Sequence, residues 1–202
     1  MGKANWIKTT PSQGSGNATV NVSSTAEHTG RTIRTTTLTW KAANVADVVR
    51  TVNQAGKPEY VDIADTASAD KAGKTVTISG ESNSRKLTFS YGTGNLNVTI
   101  YRDEYTAAGI PSIPNGSEIQ GDPGANAKYE FSIRIDVPAN NTTEALSRQI
   151  IVTDEAGNQD VCTLTSAAGD AYLTVQAGTI ELDYQGTPVA VTVESNTNWT
   201  IE

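Results

Sequence analysis

The sequence predicts an all-β protein made of antiparallel β-sandwiches, and three observations carry that reading. Thr, Ser, Asn, Gly and Val dominate, Leu is sparse and Met occurs once; β-branched side chains suit a pleated surface, Gly and Asn suit turns. Short runs alternate apolar and polar, as in Lys74–Ser79, where Val76 and Ile78 fall on one face and threonines on the other. Turn signals separate those runs at the spacing of a sandwich.

Taken in order, the first strands are expected at Ala4–Thr9 and Ala18–Ser23, parted by the turn-rich Pro11–Gly16. Thr32–Lys41 alternates as a strand. In Asn44–Gln54 the valines fall at helical spacing, yet all are β-branched and a Gly follows, so it is read as a strand. Gly56-Lys57-Pro58 marks a boundary. Beyond it come Tyr60–Ala64, Lys74–Gly80, Arg85–Tyr91 and Asn95–Arg102, with Tyr91–Asn95 read as a hairpin turn. Asp103–Ala127 holds Pro111, Pro114 and Pro123 and is expected to be a long loop of functional or flexible kind. Strands resume at Lys128–Val137, Leu146–Asp154 and Gln159–Thr165. After the junction Ala167–Asp170 they continue at Tyr172–Val175, Thr179–Tyr184, Pro188–Val193 and Trp199–Ile201.

The chain thus divides into residues 1–56, 57–168 and 169–202. The middle segment has the length of a complete immunoglobulin-like sandwich of about 100 residues, and the flanking segments read as halves. The fold expected is a tandem of immunoglobulin-like antiparallel β-sandwiches.

Several function classes are excluded by what the sequence lacks. The net charge is −7 and no Lys/Arg cluster stands out, which argues against nucleic acid as a partner. No apolar run is long enough to insert in a membrane. Cys162 is the sole cysteine, so neither an intrachain disulfide nor a C-x-x-C site exists; it is read as a small buried hydrophobe. His28, the one histidine, is read as a solvated turn residue without the partners that zinc or nucleophilic catalysis needs. The adjacent pairs Asp103/Glu104 and Asp154/Glu155 could in principle cleave glycosides, but such pairs read more simply as solvated turn residues. Asp154–Asp160 is rich in oxygens but departs from calcium-loop spacing and reads as a hairpin connection. No catalytic residue, metal or cofactor is expected. The start Met1–Trp6 has no apolar stretch behind it. The expectation is a chain held in the cytoplasm until assembly, or a Met added for expression.

Aromatic side chains remain as binding candidates, because flat rings stack on pyranose C–H faces. Tyr101, Tyr105 and Trp40 are the candidates for contact with a glycan or partner, Tyr105 foremost for its place at the entrance to the expected loop. Trp6 and Trp199 are read as sandwich core.

Asn5-Trp6-Ile7-Lys8-Thr9-Thr10-Pro11-Ser12-Gln13-Gly14-Ser15-Gly16, with Arg31 or Arg34 opening the next β run and Gln54-Ala55-Gly56 closing the segment, resembles the second part of a BACON domain (Bacteroidetes-associated carbohydrate-binding, often N-terminal). Tyr172–Val175 through Ser195-Asn196-Thr197-Asn198-Trp199-Thr200-Ile201 resembles its first part. Residues 57–168 match more loosely, with strand rhythm but no Trp. The resemblance implies that the two ends are complementary halves of one domain type. Either the chain is a piece of a longer array, or one protomer's tail completes its neighbour's head by strand exchange in a homo-oligomer. It further implies a non-enzymatic virion component of a bacteriophage (head fibre, capsid decoration or tail-associated), assembled in the host cytoplasm among other virion proteins and in contact with host-surface glycan. The alternative is a carbohydrate-binding or spacer module of a secreted or surface-anchored gut-bacterial protein.

Overall fold

The computed structural model describes residues 3–202; the Met1-Gly2 start, on which the cytoplasmic expectation partly rests, lies outside them. The N-terminal segment forms two separate two-stranded antiparallel ladders. One pairs β1 (Ile7–Thr10) with β2 (Asn21–Ser24), the other β3 (Arg34–Trp40) with β4 (Val48–Gln54). The β-branched run at Val48–Gln54 is therefore a strand, as its side chains require.

Residues 61–166 form the sandwich. Its strands are β5 (Val61–Ile63), β6 (Thr66–Ala69), β7 (Lys74–Ser82), β8 (Leu87–Gly94), β9 (Thr99–Ala107), β10 (Ile110–Pro114), β11 (Tyr129–Val137), β12 (Leu146–Asp154) and β13 (Gln159–Ser166). One sheet runs β10-β9-β11-β7-β5 and the other β6-β13-β12-β8. The first edge strand is divided between the sheets: β5 pairs antiparallel with β7, and β6 lies parallel to β13. This strand order, with β5, β7, β11 and β9 facing β8, β12 and β13, is the immunoglobulin arrangement.

Alternation builds the core. Along β11, Tyr129, Phe131, Ile133, Ile135 and Val137 point inward while the residues between them face out. From the opposite sheet come Leu87, Phe89, Ile150, Val152, Cys162 and Leu164. Phe89 stands between the rings of Tyr105 and Phe131, with centroids 5.3 and 5.8 Å away in tilted contact, the geometry that aromatic quadrupoles prefer. Cys162 is buried, and burial pushes its thiol up to about 11.

Four sequence expectations need correction. Residues 103–127 are not a long loop. β9 continues to Ala107 and turns through Ala108-Gly109 into β10, both turn residues having positive φ (51° and 77°). Pro111 and Pro114 are tolerated because β10 is an edge strand. The remainder packs back over the sheet end, burying Ile119 and closing with a 3-10 turn at Pro123–Ala125. Second, Tyr91–Asn95 is no hairpin: β8 runs on to Gly94 and the chain then crosses to β9 in the other sheet. Third, β6 forms where no strand was expected. Finally, in the C-terminal segment only β14 (Leu173–Val175) and β15 (Val193–Ser195) are strands, so the apolar runs at 179–184, 188–192 and 199–201 are not.

Candidate functional site

The sandwich receives the chain at one pole and releases it at the other, and a buried asparagine organises each pole. At the entry pole the Asn83 side chain, which has no exposed surface, donates to the carbonyls of Thr29 (3.2 Å), Lys57 (3.3 Å) and Pro58 (3.2 Å) and accepts from the Tyr60 N–H at 3.1 Å. Arg31 grips Asp122 with its two terminal guanidinium nitrogens, and one of them also donates to the Asn83 carbonyl at 3.1 Å. Backbone N–H groups of Arg31 and Thr32 donate to the carbonyls of Gly124 and Ala125, each at 3.0 Å. The approach is close enough that a Cβ on Gly124 would lie 2.0 Å from the Asn83 carbonyl oxygen. Asn140 does the equivalent work at the exit pole, donating to the carbonyls of Glu144 (2.8 Å) and Ala167 (2.9 Å) while accepting from Thr142. From there Gly169 N–H donates to the Thr142 carbonyl at 2.7 Å, and Asn196 bonds the carbonyls of Asn141 and Asp170. Neither asparagine is distinguishable in sequence from the many turn asparagines around it.

His28 belongs to the entry pole and is not a solvated residue. It is 6% exposed, and its Nε2 donates to the Thr32 carbonyl at 2.7 Å.

The three aromatic candidates do not converge. Tyr105 lies in the core rather than on an open surface: it is 2% exposed, its hydroxyl donates to the Ser117 carbonyl at 3.0 Å, and burial pushes the phenol up to about 12. A bulge in β9 shifts the period-2 alternation by one residue, so that Ile100 before it and Tyr105 and Ala107 after it all face inward. Tyr101 is half-buried on the same strand, with the guanidinium groups of Arg134 and Arg102 at 4.0 and 5.0 Å from its ring centre. Here β9 bulges against β11 between Ile100 and Tyr105, and Arg102 and Asp103 take positive φ (56° and 53°). Glu104 accepts from the Ser112 hydroxyl, and a cleft of about 430 Å³ opens beside Arg102, Glu104 and Arg134.

Trp40 ends β3 and is 41% exposed. It lines a cleft of about 740 Å³ between the two N-terminal ladders, with Lys3, Thr9, Gln13 and Thr39 among the polar walls. One aromatic wall facing hydroxyls, a carboxamide and an ammonium offers a polyhydroxy ligand both stacking and hydrogen bonds. Trp6 is half-buried beneath the Arg34 guanidinium, 4.5 Å from its ring centre, and Trp199 is 47% exposed; neither lies in the described core.

The acidic pairs are structurally engaged. Asp103 accepts from Asn115 at 2.9 Å, and Asp154 accepts from the Asn158 backbone N–H at 2.8 Å and its side chain at 2.7 Å. Glu155 is held by Arg85, whose hydrogen bond keeps the carboxyl below its usual range. Asp154 and Asn158 brace a hairpin in which Gly157 takes φ 90°. Among the described residues no three His, Cys, Asp or Glu side chains converge as metal ligands would.

The topology defines an immunoglobulin-like β-sandwich. No protein-family profile and no curated protein matches the chain. Among solved structures it is similar to the cadherin-like domains 1 to 4 of zebrafish RET, at 12% identity and a TM-score of 0.34, covering 70% of this chain and 35% of that one. It is also similar to the C-terminal domain of the AgI/II polypeptide BspA of Streptococcus agalactiae, at 9% identity and a TM-score of 0.27, covering 62% of this chain and 57% of that one. The chain thus spans a third to somewhat over half the length of these structures.

Proposed function

We propose that the chain is a non-enzymatic structural and adhesive module of the BACON type, serving in a phage virion as head fibre, capsid decoration or tail-associated protein. One observation carries the structural role: the chain enters the sandwich at one pole, leaves at the other, and is clamped at both by buried carboxamides. That is the construction of a link in an extended array, in which a pull on one neighbour passes along the strands to the next. The groups with chemical potential are engaged in holding this frame: His28 on a carbonyl, Asp154 on its hairpin, Cys162 in the core. Antibody raised against the chain should decorate purified phage particles in electron micrographs; particles that stay bare would remove the virion reading. Sequencing the gene upstream of Met1 offers a second check, since a signal peptide with a lipidation cysteine would place the module on a bacterial surface instead.

The Trp40 cleft supports a second reading, a carbohydrate-binding or spacer module of a secreted or surface-anchored protein. A glycan array tests it directly. Binding by the wild type that Trp40→Ala abolishes supports the cleft, whereas binding lost in Tyr101→Ala but not Trp40→Ala moves the site to the β9 bulge. An array blank for the wild type removes the lectin role.

A further inference from the structure

The two terminal segments share one unusual property and differ in another. Among the described residues, the large hydrophobic side chains that remain exposed lie in these segments, with the single exception of Tyr91 in the sandwich. In the N-terminal segment Ile33, Trp40, Val45 and Val49 are 41–64% exposed; in the C-terminal one Leu173, Leu182, Trp199 and Ile201 are 47–84% exposed. Both segments also present unpaired strand edges, since each ladder has two strands only. Their charges are opposite. Residues 1–56 carry six Lys and Arg against two acids, a net of +4, while residues 169–202 carry five acids and no Lys or Arg, a net of −5. Apolar surface that is concentrated in two patches of opposite charge is complementary to itself across two copies.

Within one chain the two segments join the sandwich at opposite ends. One is held at the entry pole and the other at the exit pole, separated by the nine residues of β7, or about 30 Å at a strand's rise of about 3.3 Å per residue. We therefore propose that the C-terminal segment of one copy docks on the N-terminal segment of the next. Apolar burial and strand addition hold the contact, and attraction between the acidic tail and the basic head selects the pairing. Because the two surfaces are different, the contact is heterologous, and repeated along the pole-to-pole axis it yields an open row rather than a closed pair. This deepens the structural-module reading and rests on it, naming a second copy of the same chain as the partner.

Sedimentation of the 202-residue protein across a range of concentrations tests it. The expected result is a monomer growing into dimers and longer rows with concentration. Raising the salt should shorten the rows, because the screening length falls from about 10 Å at 0.1 M to about 3 Å at 1 M. A monomer at every concentration, or association that strengthens with salt, would overturn the proposal. Two double variants test direction, using side chains that are solvent-exposed. Glu181→Lys with Glu194→Lys takes the tail from −5 to −1, and Lys8→Glu with Arg50→Glu takes the head from +4 to 0, which removes the attraction that selects the pairing. Each should stay monomeric alone, with circular dichroism showing an intact fold. Mixed, they retain one native head and one native tail between them and should form a 1:1 dimer that grows no further. Variants that associate as the wild type does, or a mixture that stays monomeric where the wild type associates, would refute the head-to-tail contact. Either failure leaves the module reading standing, since particle labelling tests that separately.

Discussion

A carboxamide can give two protons and accept two more, which makes asparagine the residue for a buried place where several backbone groups arrive without partners. Asn83 and Asn140 use that capacity at opposite poles, and the polypeptide on either side of the sandwich is anchored through them. Asn83→Ala leaves three carbonyls and the Tyr60 N–H to find other partners, and we expect it to cost at least about 2 kcal/mol in urea unfolding. Tyr105 has two separable contributions. Tyr105→Phe loses only the bond to the Ser117 carbonyl and should cost about 1 kcal/mol. Tyr105→Ala empties the site against Phe89 and should cost about 3–5 kcal/mol in the same measurement. Equal losses in the two variants would mean that the ring is not packed as described.

The β9–β10 hairpin shows how an element can hide from its sequence. Prolines and glycines mark chain breaks in most contexts, and Asp103–Ala127 is dense with both. An edge strand has one side with no ladder to feed, so Pro111 and Pro114 cost it little. The turn at Ala108-Gly109 needs positive φ at both central residues, a conformation that suits Gly and strains Ala. Ala108→Gly should therefore raise stability by about 0.5–1 kcal/mol, the relief of strain exceeding the added chain entropy. Chemical denaturation reads this, and a loss of stability would contradict the turn geometry. Exposed apolar runs at 179–184 and 188–192 mislead in the opposite sense: they have strand composition, but no sheet stands beside them to accept their hydrogen bonds.

At the scale of the molecule, thiol and phenol groups held in their neutral forms should make stability fall in alkali. Burial raises the Cys162 thiol from 9.0 to about 11 and the Tyr105 phenol from 10.0 to about 12. Tyr60 rises from 10.0 to about 12 through burial first and then its bond to Glu81. Above pH 9 the unfolded chain releases these protons before the folded one does. Stability from the neutral forms is thus complete below pH 9 and is lost as pH climbs through about 9–12. Denaturant midpoints should hold level from pH 7 to 8.5 and decline beyond 9, and Cys162→Ala should delay the onset of that decline by removing the first group to titrate. A midpoint flat through pH 11 would show that these groups are open to water in the folded state.

Legible in the sequence were the fold class, the alternating core strands at Lys74–Gly80, Lys128–Val137, Leu146–Asp154 and Gln159–Thr165, the burial of Cys162 and the connecting role of Asp154–Asp160. Each depends on local alternation or turn chemistry, which neighbours in the chain can express. Which tyrosine is buried is a tertiary outcome, since the bulge at Arg102-Asp103 shifts the alternation of β9, turning Tyr105 inward and leaving Tyr101 beneath two guanidinium groups. Tertiary structure also decided that His28 is bound, that Asn83 and Asn140 are clamps, and that the terminal segments sit at opposite poles. Those outcomes depend on partners dozens of residues away, as Arg31 with Asp122, and no local pattern reports which distant group will complete a residue's hydrogen bonds or cover its apolar face.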